Sequence, residues 1–400
     1  MALTTERALG HVAMQPTVVI TQRGEDRVRA GHPWIYRSDL VDVQAVAGDT
    51  VRLVGSRGRA VGQALFSDRS EIALRVLTRR DEPADLALWQ ARLHAARTYR
   101  QALAIDATAY RLVHAEGDLL PSLIVDRYGD YLVVQALSQG VDRLLPAICE
   151  ILVQLVAPIG ILARNDARVR LLEGLEPRVE VLYGHVPETI GVRVGPVEFE
   201  VDPWRGQKTG LFLDQRENRD AAYRYASGRL LDGFSYTGGF ALRLAPQCAE
   251  VLAVDISEAA VAQIAANAAR NRLPHVHARV ANLFDALRDL ERSGERFDTI
   301  VLDPPAFARN RASVARAVAG YKEINLRALK LLRPGGYLIT CSCSYHVDEA
   351  RFGQIIHEAA LDARASLVIV EKRLQARDHP VLLGVPETSY LKCFIVRKLS

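Results

Sequence analysis

The chain lacks the features of membrane-bound and disulfide-stabilised proteins. Its 400 residues contain no apolar run near the roughly 18 residues that a membrane-spanning helix needs. The first residues lack the charged and then apolar layout of a signal peptide. Five cysteines, an odd number in a long chain, do not indicate the disulfide framework of a small secreted domain. We therefore expect a globular, cytoplasmic protein.

The sequence also contains little that indicates a metal site. Cys341 and Cys343 stand close together, but no second Cys or His pair with the spacing of metal ligands accompanies them. Cys149, Cys248 and Cys393 stand alone in apolar segments, where a cysteine commonly acts as a small core residue. We expect no bound metal and assign no chemistry to these three thiols.

Lysine is absent from the first 80 residues, yet this part of the chain is the most basic. It holds 12 arginines against eight acidic residues, and because the rest of the chain is balanced, the whole net charge of +4 comes from here. Short strand-like runs separated by Gly, Asp and Arg predict a small all-β barrel. A basic module on a neutral body is typical of an RNA-docking appendage. A solvated arginine-rich surface explains the charge equally well.

Two further units follow the barrel. Residues 83–201 mix strands with helices in an α+β pattern and show no catalytic constellation. Later in the chain strands and helices alternate, which predicts a doubly wound, Rossmann-like parallel sheet. We therefore expect an α/β fold in three domains: a small all-β barrel at 1–82, a central α+β domain at 83–201 and a doubly wound, Rossmann-like domain at 202–400.

The C-terminal sheet carries the signals of a nucleoside-containing ligand. Its first strand runs into a turn with Gly238 and Gly239, and its second strand ends at Asp255, 16 positions after Gly239. A glycine turn lets the backbone approach a ligand, and an acid at the end of the second strand accepts hydrogen bonds from ribose hydroxyls. The G-x-G-x-x-G fingerprint of dinucleotide enzymes is absent. The spacing therefore does not say which nucleoside is bound.

Polar residues end three more strands of this sheet. Asn282-Leu283 follows the third strand, where a polar and an apolar side chain can hold an adenine ring. Asp303-Pro304-Pro305-Ala306-Phe307 ends the fourth and presents a carboxylate, rigid carbonyls and a Phe to a planar ring. Thr340-Cys341-Ser342-Cys343-Ser344 ends another, at the edge where ligands of open α/β sheets bind. Alone, each is also explained as a loop or a small buried residue; in one sheet they favour a functional site.

These segments resemble the class I S-adenosylmethionine-dependent methyltransferases that form 5-methylcytosine in large-subunit ribosomal RNA, the RlmI-like family. The matching segments are 208–216, 234–240, 303–307, 320–325 and 342–344. Residues 30–36 resemble that family's PUA domain, an RNA-binding barrel, so the resemblance spans nearly all of the chain. Two positions depart from the family: Asn282 stands where Asp is usual, and Ala306 where Lys is frequent.

The resemblance implies a mechanism and a set of site residues. Cytosine C5 is a poor nucleophile until a thiolate adds to C6 and makes C5 enamine-like. The resemblance gives the thiolate role to Cys343 and none to Cys341. It implies that Asp303 hydrogen-bonds the N3 and N4 edge of the base, with a pKa raised by burial. The residues expected to bind S-adenosylmethionine are Asp214, Gln215, Phe234, Tyr236, Thr237, Gly238, Asp255, Ile256, Asn282, Leu283 and Asp303.

Other functions and assemblies stay open. Methyltransferases that act on guanine N7 or adenine N6 share the acid-Pro-Pro-aromatic motif and need no thiol, so Cys343 discriminates between them. A non-catalytic RNA-binding assembly factor is disfavoured because Asp255, Asp303 and Cys343 are all present. Ribosomal RNA is the expected partner, with the target base unstacked, and a homodimer is one of the open assemblies. We also expect the pleat of the strand to place Cys341 and Cys343 on opposite faces.

Overall fold

The computed structural model describes residues 15–308 and 311–400. Residues 1–14 lie outside this described part; they include the segment examined for a signal peptide and the first residues of the predicted barrel domain. Within the described ranges, no helix is long and apolar enough to cross a membrane. The same ranges contain no group of three or more His, Cys, Asp or Glu side chains arranged to hold a metal ion.

The N-terminal part of the chain forms one six-stranded sheet with one helix. Its elements are β1 (Thr17–Ile20), α1 (Gln22–Arg29), β2 (Trp34–Tyr36), β3 (Leu40–Gln44), β4 (Thr50–Val54), β5 (Ala60–Phe66) and β6 (Ile72–Thr78). The strand order is β2-β6-β5-β4-β1-β3. Five strands expected from their apolar runs are confirmed. The sequence did not indicate α1, whose residues are mostly polar or charged, or β3, whose residues are mostly exposed.

The middle of the chain is an α+β unit built on a five-stranded sheet. Its elements are α2 (Leu86–Ala102), β7 (Ala109–His114), β8 (Leu123–Tyr128), β9 (Tyr131–Ala136), α3 (Gln139–Val156), β10 (Gly160–Asn165) and β11 (Arg178–Gly184), followed by the hairpin of β12 (Ile190–Val194) and β13 (Val197–Val201). The sheet order is β11-β10-β9-β8-β7. Trp89 and Leu93 of α2 are buried in one core with Val125 and Leu132 of the sheet.

The C-terminal part forms a seven-stranded sheet with helices between its strands. Its elements are α4 (Arg216–Ala222), β14 (Gly228–Gly233), α5 (Gly239–Leu244), β15 (Cys248–Asp255), α6 (Glu258–Arg270), β16 (Val276–Val280), α7 (Leu283–Arg292), β17 (Phe297–Leu302), α8 (Val314–Leu331), β18 (Leu332–Ser342), α9 (Glu349–Asp362), β19 (Leu367–Arg373) and β20 (Lys392–Lys398). The order is β16-β15-β14-β17-β18-β20-β19. The chain therefore reverses its direction of sheet growth between β14 and β17, which is where ligands of such sheets bind.

The alternation of strands and helices predicted a wholly parallel sheet, but the observed sheet is mixed. β20 runs antiparallel between β18 and β19. An apolar strand such as β20 is buried in either direction, so its sequence pattern does not encode its orientation. The five strands from β16 to β18 are parallel, and the Rossmann-like character of the site half of the sheet is confirmed.

A buried polar cluster joins the central unit to the start of α4. Asp378 accepts hydrogen bonds from Arg216 Nη1 at 2.8 Å and from the backbone N–H of Arg111 at 2.9 Å. Arg100 donates to the Asp378 carbonyl at 2.6 Å. Removing one member would leave a buried charge without its partner, which commonly costs about 3–5 kcal/mol. This cluster fixes α4, and with it Gln215, against the central sheet.

Candidate active site

A cavity of about 580 Å³ opens at the carboxyl ends of β14, β15 and β17. It lies where the order of the strands reverses. Eleven of the twelve residues predicted for the site line it: Asp214, Gln215, Phe234, Tyr236, Thr237, Asp255, Ile256, Asn282, Leu283, Asp303 and Cys343. Gly238 does not line the cavity, but its neighbour Gly239 does. The structure thus brings together residues that are up to 129 positions apart in the sequence.

The turn after β14 brings the backbone close to the cavity. Gly238 has φ +87°, a conformation that side chains rarely adopt. A Cβ atom on Gly239 would lie 2.6 Å from Cζ of Arg219, so only glycine leaves room for that guanidinium. Phe234 and Tyr236 also have positive φ values, +60° and +51°. Strained residues of this kind cluster at functional sites, where the surrounding fold holds them in place.

Asp255 ends β15 with its carboxylate held by two backbone groups. Oδ2 accepts from Tyr236 N at 2.9 Å, and Oδ1 accepts from Ser257 N at 2.9 Å. Each oxygen keeps a further lone pair, so the carboxylate can still accept bonds from two hydroxyl groups. The neighbouring Ile256 is 70% exposed and lies at the rim.

Asn282 and Leu283 begin α7 at the same edge. The side-chain oxygen of Asn282 caps the helix by accepting from Phe284 N at 3.0 Å. Leu283 is buried against the strand before the glycine turn, and a Cβ on Gly233 would come within 2.5 Å of its Cδ2. The side-chain amide of Asn282 carries N–H donors, which the Asp that is usual at this position in the resembled family lacks.

Asp214 is buried beside the cavity with its two oxygens in different situations. Oδ2 accepts from Lys208 Nζ and from Tyr390 OH, each at 2.8 Å. Oδ1 is buried and has no hydrogen-bond partner within the described residues. Burial opposes ionisation, but the charges of Lys208 and His379 and the two bonds hold the pKa of Asp214 well below its ordinary value. Asp214 is therefore an ionised carboxylate beside the cavity, with both of its described hydrogen bonds on one oxygen.

Asp303 follows β17 and lines the cavity. Its Oδ1 accepts from Gln215 Nε2 at 2.8 Å. Asn218 Nδ2 donates to the other end of that amide, Gln215 Oε1, at 2.7 Å, which fixes the orientation of the amide. Burial, with a smaller contribution from Asp214, raises the pKa of Asp303 to about 6. The direction is the one expected from the sequence, and it brings the carboxyl close to neutral pH.

Cys343 lies one residue beyond the end of β18 and lines the cavity. Its Sγ lies 3.8 Å from the carbonyl oxygen of Pro304. Burial and the negative charge of Asp303 raise the pKa of the thiol to about 11, while Lys208 and Lys392 act in the opposite direction. The resting thiol is therefore protonated at neutral pH, and a reaction that uses it must move that proton.

Cys341 has a different environment. It is fully buried and lies opposite Cys393 across the β18–β20 pair. The expectation that the pleat separates Cys341 from Cys343 is wrong, because residues two apart lie on the same face of a strand. The two thiols have different environments for another reason. β18 ends at Ser342, so Cys341 lies in the strand and Cys343 lies in the loop that follows it.

A network of hydroxyl groups connects the loop after β17 to the loop of Cys343. Ser344 Oγ accepts from Ala308 N at 3.1 Å and lies 2.9 Å from Tyr321 OH. The Phe307 ring packs on Tyr321, with centroids 4.7 Å apart. Phe307 does not line the cavity, contrary to the prediction that it faces a planar ring. Its contribution is to hold the two loops together.

Sequence reasoning missed three charged residues of the cavity, namely Lys208, Arg219 and Asp232. Asp232 accepts from Ser235 Oγ at 2.5 Å and from Ala241 N at 2.9 Å, and burial raises its pKa to about 7. Asp232 lies near the carboxyl end of β14, and this position could have identified it as a site residue from the sequence. Lys208 lies within a segment that carried the family resemblance. For Arg219 no local signal exists, because its side chain reaches the cavity from α4.

Two family models match the chain. Residues 18–79 match a PUA-like domain, and residues 110–397 match an S-adenosylmethionine-dependent methyltransferase. The chain is 41% identical over 397 residues to the ribosomal RNA large subunit methyltransferase I of Tolumonas auensis, covering 96% of this chain and 100% of the relative. It is 39% identical over 394 residues to the protein of the same name from Aeromonas salmonicida, again with 96% and 100% coverage.

Solved structures show the same fold. A proposed methyltransferase complexed with SAH has a TM-score of 0.83 at 21% sequence identity, covering 96% of this chain and 100% of that one. A proposed S-adenosylmethionine-dependent methyltransferase from Streptococcus mutans has a TM-score of 0.82 at 20% identity, with the same coverage. At this identity the likeness is one of overall architecture.

Proposed function

The chain belongs to the ribosomal RNA large subunit methyltransferase I family of S-adenosylmethionine-dependent methyltransferases, and from this premise we propose that it methylates C5 of a cytosine in large-subunit ribosomal RNA. The observation that carries the proposal is the joint presence of the Cys343 thiol and the Asp303 carboxyl in one cavity. A nucleophile and a carboxyl of raised pKa are the two groups that activation of a pyrimidine ring requires.

The residues of the cavity fit S-adenosylmethionine. The Asp255 carboxylate has the free lone pairs that ribose hydroxyls need, and Asn282 with Leu283 offers a polar and an apolar contact to adenine. The buried, unpartnered Oδ1 of Asp214 provides an acceptor for a cationic group. When bound, the cofactor supplies a methyl group on a sulfonium sulfur.

Cys343 would act as the nucleophile. As its thiolate, Sγ forms a bond to C6 of cytosine, and the electron pair of the C5–C6 double bond moves into the C5–C4–N3 system. C5 becomes enamine-like and able to attack a methyl group. After methylation, solvent water takes up the C5 proton, and the electron pair of that C–H bond restores the C5–C6 double bond. The C6–S bond breaks with its electron pair on sulfur, and N3 returns its proton to the Asp303 carboxylate. A thiolate suits both steps because it adds readily and leaves again.

Asp303 would handle the proton that this addition requires. Its position near Cys343 and its pKa of about 6 support a carboxylate that takes the thiol proton of Cys343 and donates it to N3 as the adduct forms. The resulting carboxylate then accepts a hydrogen bond from the N4 amino group. Gln215 holds the carboxyl at 2.8 Å, which supports a fixed orientation toward the base. A positioned acid of this kind typically contributes about 100- to 10,000-fold to rate.

The N-terminal domain, residues 1–82, would dock the RNA, and residues 83–201 would link it to the catalytic domain at 202–400. The match of residues 18–79 to a PUA-like domain and the arginine surplus of this region support the docking role. Phosphate contacts provide affinity and register without reading the sequence. The target cytosine must leave its stack to reach the cavity, from a loop or by flipping.

The nature of the product separates this proposal from its nearest rivals. A methyltransferase acting on guanine N7 or adenine N6 needs no thiol, so the cavity position of Cys343 favours cytosine C5. The test is incubation of the protein with S-adenosylmethionine and large-subunit ribosomal RNA that lacks the modification, followed by nucleoside mass spectrometry. We expect 5-methylcytosine. Finding 7-methylguanine or N6-methyladenine in its place would contradict the proposal.

A further inference from the structure

A segment between β19 and β20 leaves the cavity wall and returns to it. It comprises residues 376–390 and is called the tip segment. At its start the backbone N–H of Ala376 donates to the Asp214 carbonyl at 2.8 Å, and at its end Tyr390 OH donates to Asp214 Oδ2 at 2.8 Å. Leu383 lies seven positions from each of these two anchors, so its Cα atom is within about 25 Å of both.

Hydrogen bonds fix the shape of the tip segment around Leu383. Leu382 and Val385 close a turn, because Val385 N donates to the Leu382 carbonyl at 2.8 Å, and Leu383 is a central residue of that turn. Thr388 Oγ1 accepts from Leu382 N at 2.9 Å and donates to the Val385 carbonyl at 2.7 Å. Gln375 Nε2 donates to the Thr388 carbonyl at 2.7 Å. Leu383 is therefore carried on a fixed support.

The apex of this turn is apolar and lies in solvent. Leu383 is 97% exposed, the highest value of any large apolar residue in the described part of the chain, and Val381 is 42% exposed. A single exposed leucine is ordinary on a protein surface. At the apex of a fixed turn, however, its burial against a partner gains free energy without the cost of ordering a loop.

The tip segment also contacts the N-terminal domain, within the residues matched to a PUA-like domain. His32 Nε2 lies 3.7 Å from Glu387 Oε2, and a Cβ on Gly384 would lie 3.8 Å from the Gly31 carbonyl oxygen. Arg79 donates to that same carbonyl, and its guanidinium keeps further donors for a phosphate. A phosphate-binding group beside an exposed apolar side chain suits RNA, whose backbone is anionic and whose bases have apolar faces.

We propose that Leu383 is an apolar wedge that enters the ribosomal RNA between the N-terminal domain and the cavity and unstacks the target nucleotide. Leucine is one of the side chains that proteins insert between stacked bases. A base freed in this way can enter the cavity, to which both ends of the tip segment are anchored. The inference rests on the proposed function for its RNA substrate, and it is independent of which base is methylated and of Cys343.

The first test compares two RNA substrates with Leu383→Ala. On folded large-subunit ribosomal RNA we expect kcat/KM for methyl transfer to fall by about 10- to 100-fold, because unstacking loses its support. On a short single-stranded fragment with the same target, kcat/KM should stay within about twofold, because no paired base has to be extruded. Leu383→Met keeps a long apolar side chain and should retain most of the activity on folded RNA. Leu361→Ala, at a residue of α9 that is 62% exposed, is the matched control.

The second test is a crosslink that does not depend on turnover. The photoreactive amino acid p-benzoylphenylalanine at position 383 should link to folded ribosomal RNA next to the methylated base, and at position 361 it should not. Unchanged activity of Leu383→Ala on folded RNA, an equal loss on both substrates, or a link from position 383 only to protein would overturn the proposal. A link to RNA beside a methylated base other than cytosine would support the wedge and contradict the proposed function alone.

Discussion

The two walls of the cavity prepare their polar groups in different ways. The wall that we propose binds the cofactor, called the cofactor wall and represented by Asp255 and Asn282, has its side-chain oxygens already fixed by backbone N–H groups. The wall that we propose faces the base, called the base wall and represented by Asp303 and Cys343, holds acidic groups whose pKa values are raised to about 6 and about 11. Fixed acceptors suit tight binding of a ligand whose protonation does not change. Groups with raised pKa values suit steps in which protons move.

Burial is the common cause on the base wall. It is the largest contribution to both raised pKa values, and the negative charge of Asp303 adds to that of Cys343. Desolvation disfavours the charged form of any acid. At pH 7 the Asp303 carboxyl, with a pKa of about 6, is mostly ionised, while the Cys343 thiol, with a pKa of about 11, keeps its proton. The pair therefore carries one proton, and because the charge of Asp303 affects the thiol, their protonation must be considered together.

The largest expected effect is on the base wall. Cys343→Ala removes the proposed nucleophile, and we expect formation of 5-methylcytosine in ribosomal RNA to fall to background, as measured by nucleoside mass spectrometry. Calorimetry should show S-adenosylhomocysteine affinity within about twofold of the unmodified protein. The matched control is Cys341→Ala, two residues away and fully buried, which should keep its activity. Full activity of Cys343→Ala would contradict the proposal that the base wall carries the chemical step.

A smaller loss is expected at the second residue of the base wall. Asp303→Asn keeps the size of the side chain but removes the acidic proton, so the rate of methyl transfer should fall by about 100- to 10,000-fold. Because Asp303 raises the pKa of Cys343, the variant should also alkylate with iodoacetamide at lower pH. An unchanged alkylation profile would show that the two groups are not coupled.

On the cofactor wall the expected loss is in binding. Asp255→Ala removes the acceptors for the ribose hydroxyls, and we expect calorimetry to show affinity for S-adenosylhomocysteine lower by about 10- to 100-fold. At saturating cofactor, the methylation rate should recover most of its value, because the base wall is intact. A rate that stays low at saturation would contradict the division of labour between the walls.

The smallest expected effect is the change in kcat/KM with pH in the unmodified protein. Between about pH 6 and about pH 11, the pKa values of Asp303 and Cys343, the pair carries one proton, so kcat/KM should be flat. As pH falls through about 6, the pKa of Asp303, a second proton is added and activity should fall about tenfold per unit. The comparison is Asp303→Asn, which should lack this inflection. Activity that rises below pH 6 would contradict the shared proton.

The sequence was most informative where one local pattern carries the structure. The apolar runs of β14 and β17 and the polar residues that end them predicted the sheet and most of the cavity. The direction of β20 was not encoded, because the strand is buried in either orientation. Arg219 and the packing role of Phe307 depend on contacts between distant segments, which no local pattern describes. The resemblance separated Cys341 from Cys343, whereas strand alternation did not.

If Cys343 bonds to cytosine C6, a base that cannot complete the reaction should stay covalently attached to it. A ribosomal RNA fragment with 5-fluorocytosine at the target carries fluorine where a proton must leave, so the base can be attacked and methylated but cannot be released. With S-adenosylmethionine present, we expect a covalent protein–RNA complex, and peptide mass spectrometry should place the link on Cys343. Methylation of the normal RNA without any trapped complex, or a link on Cys341, would contradict the account.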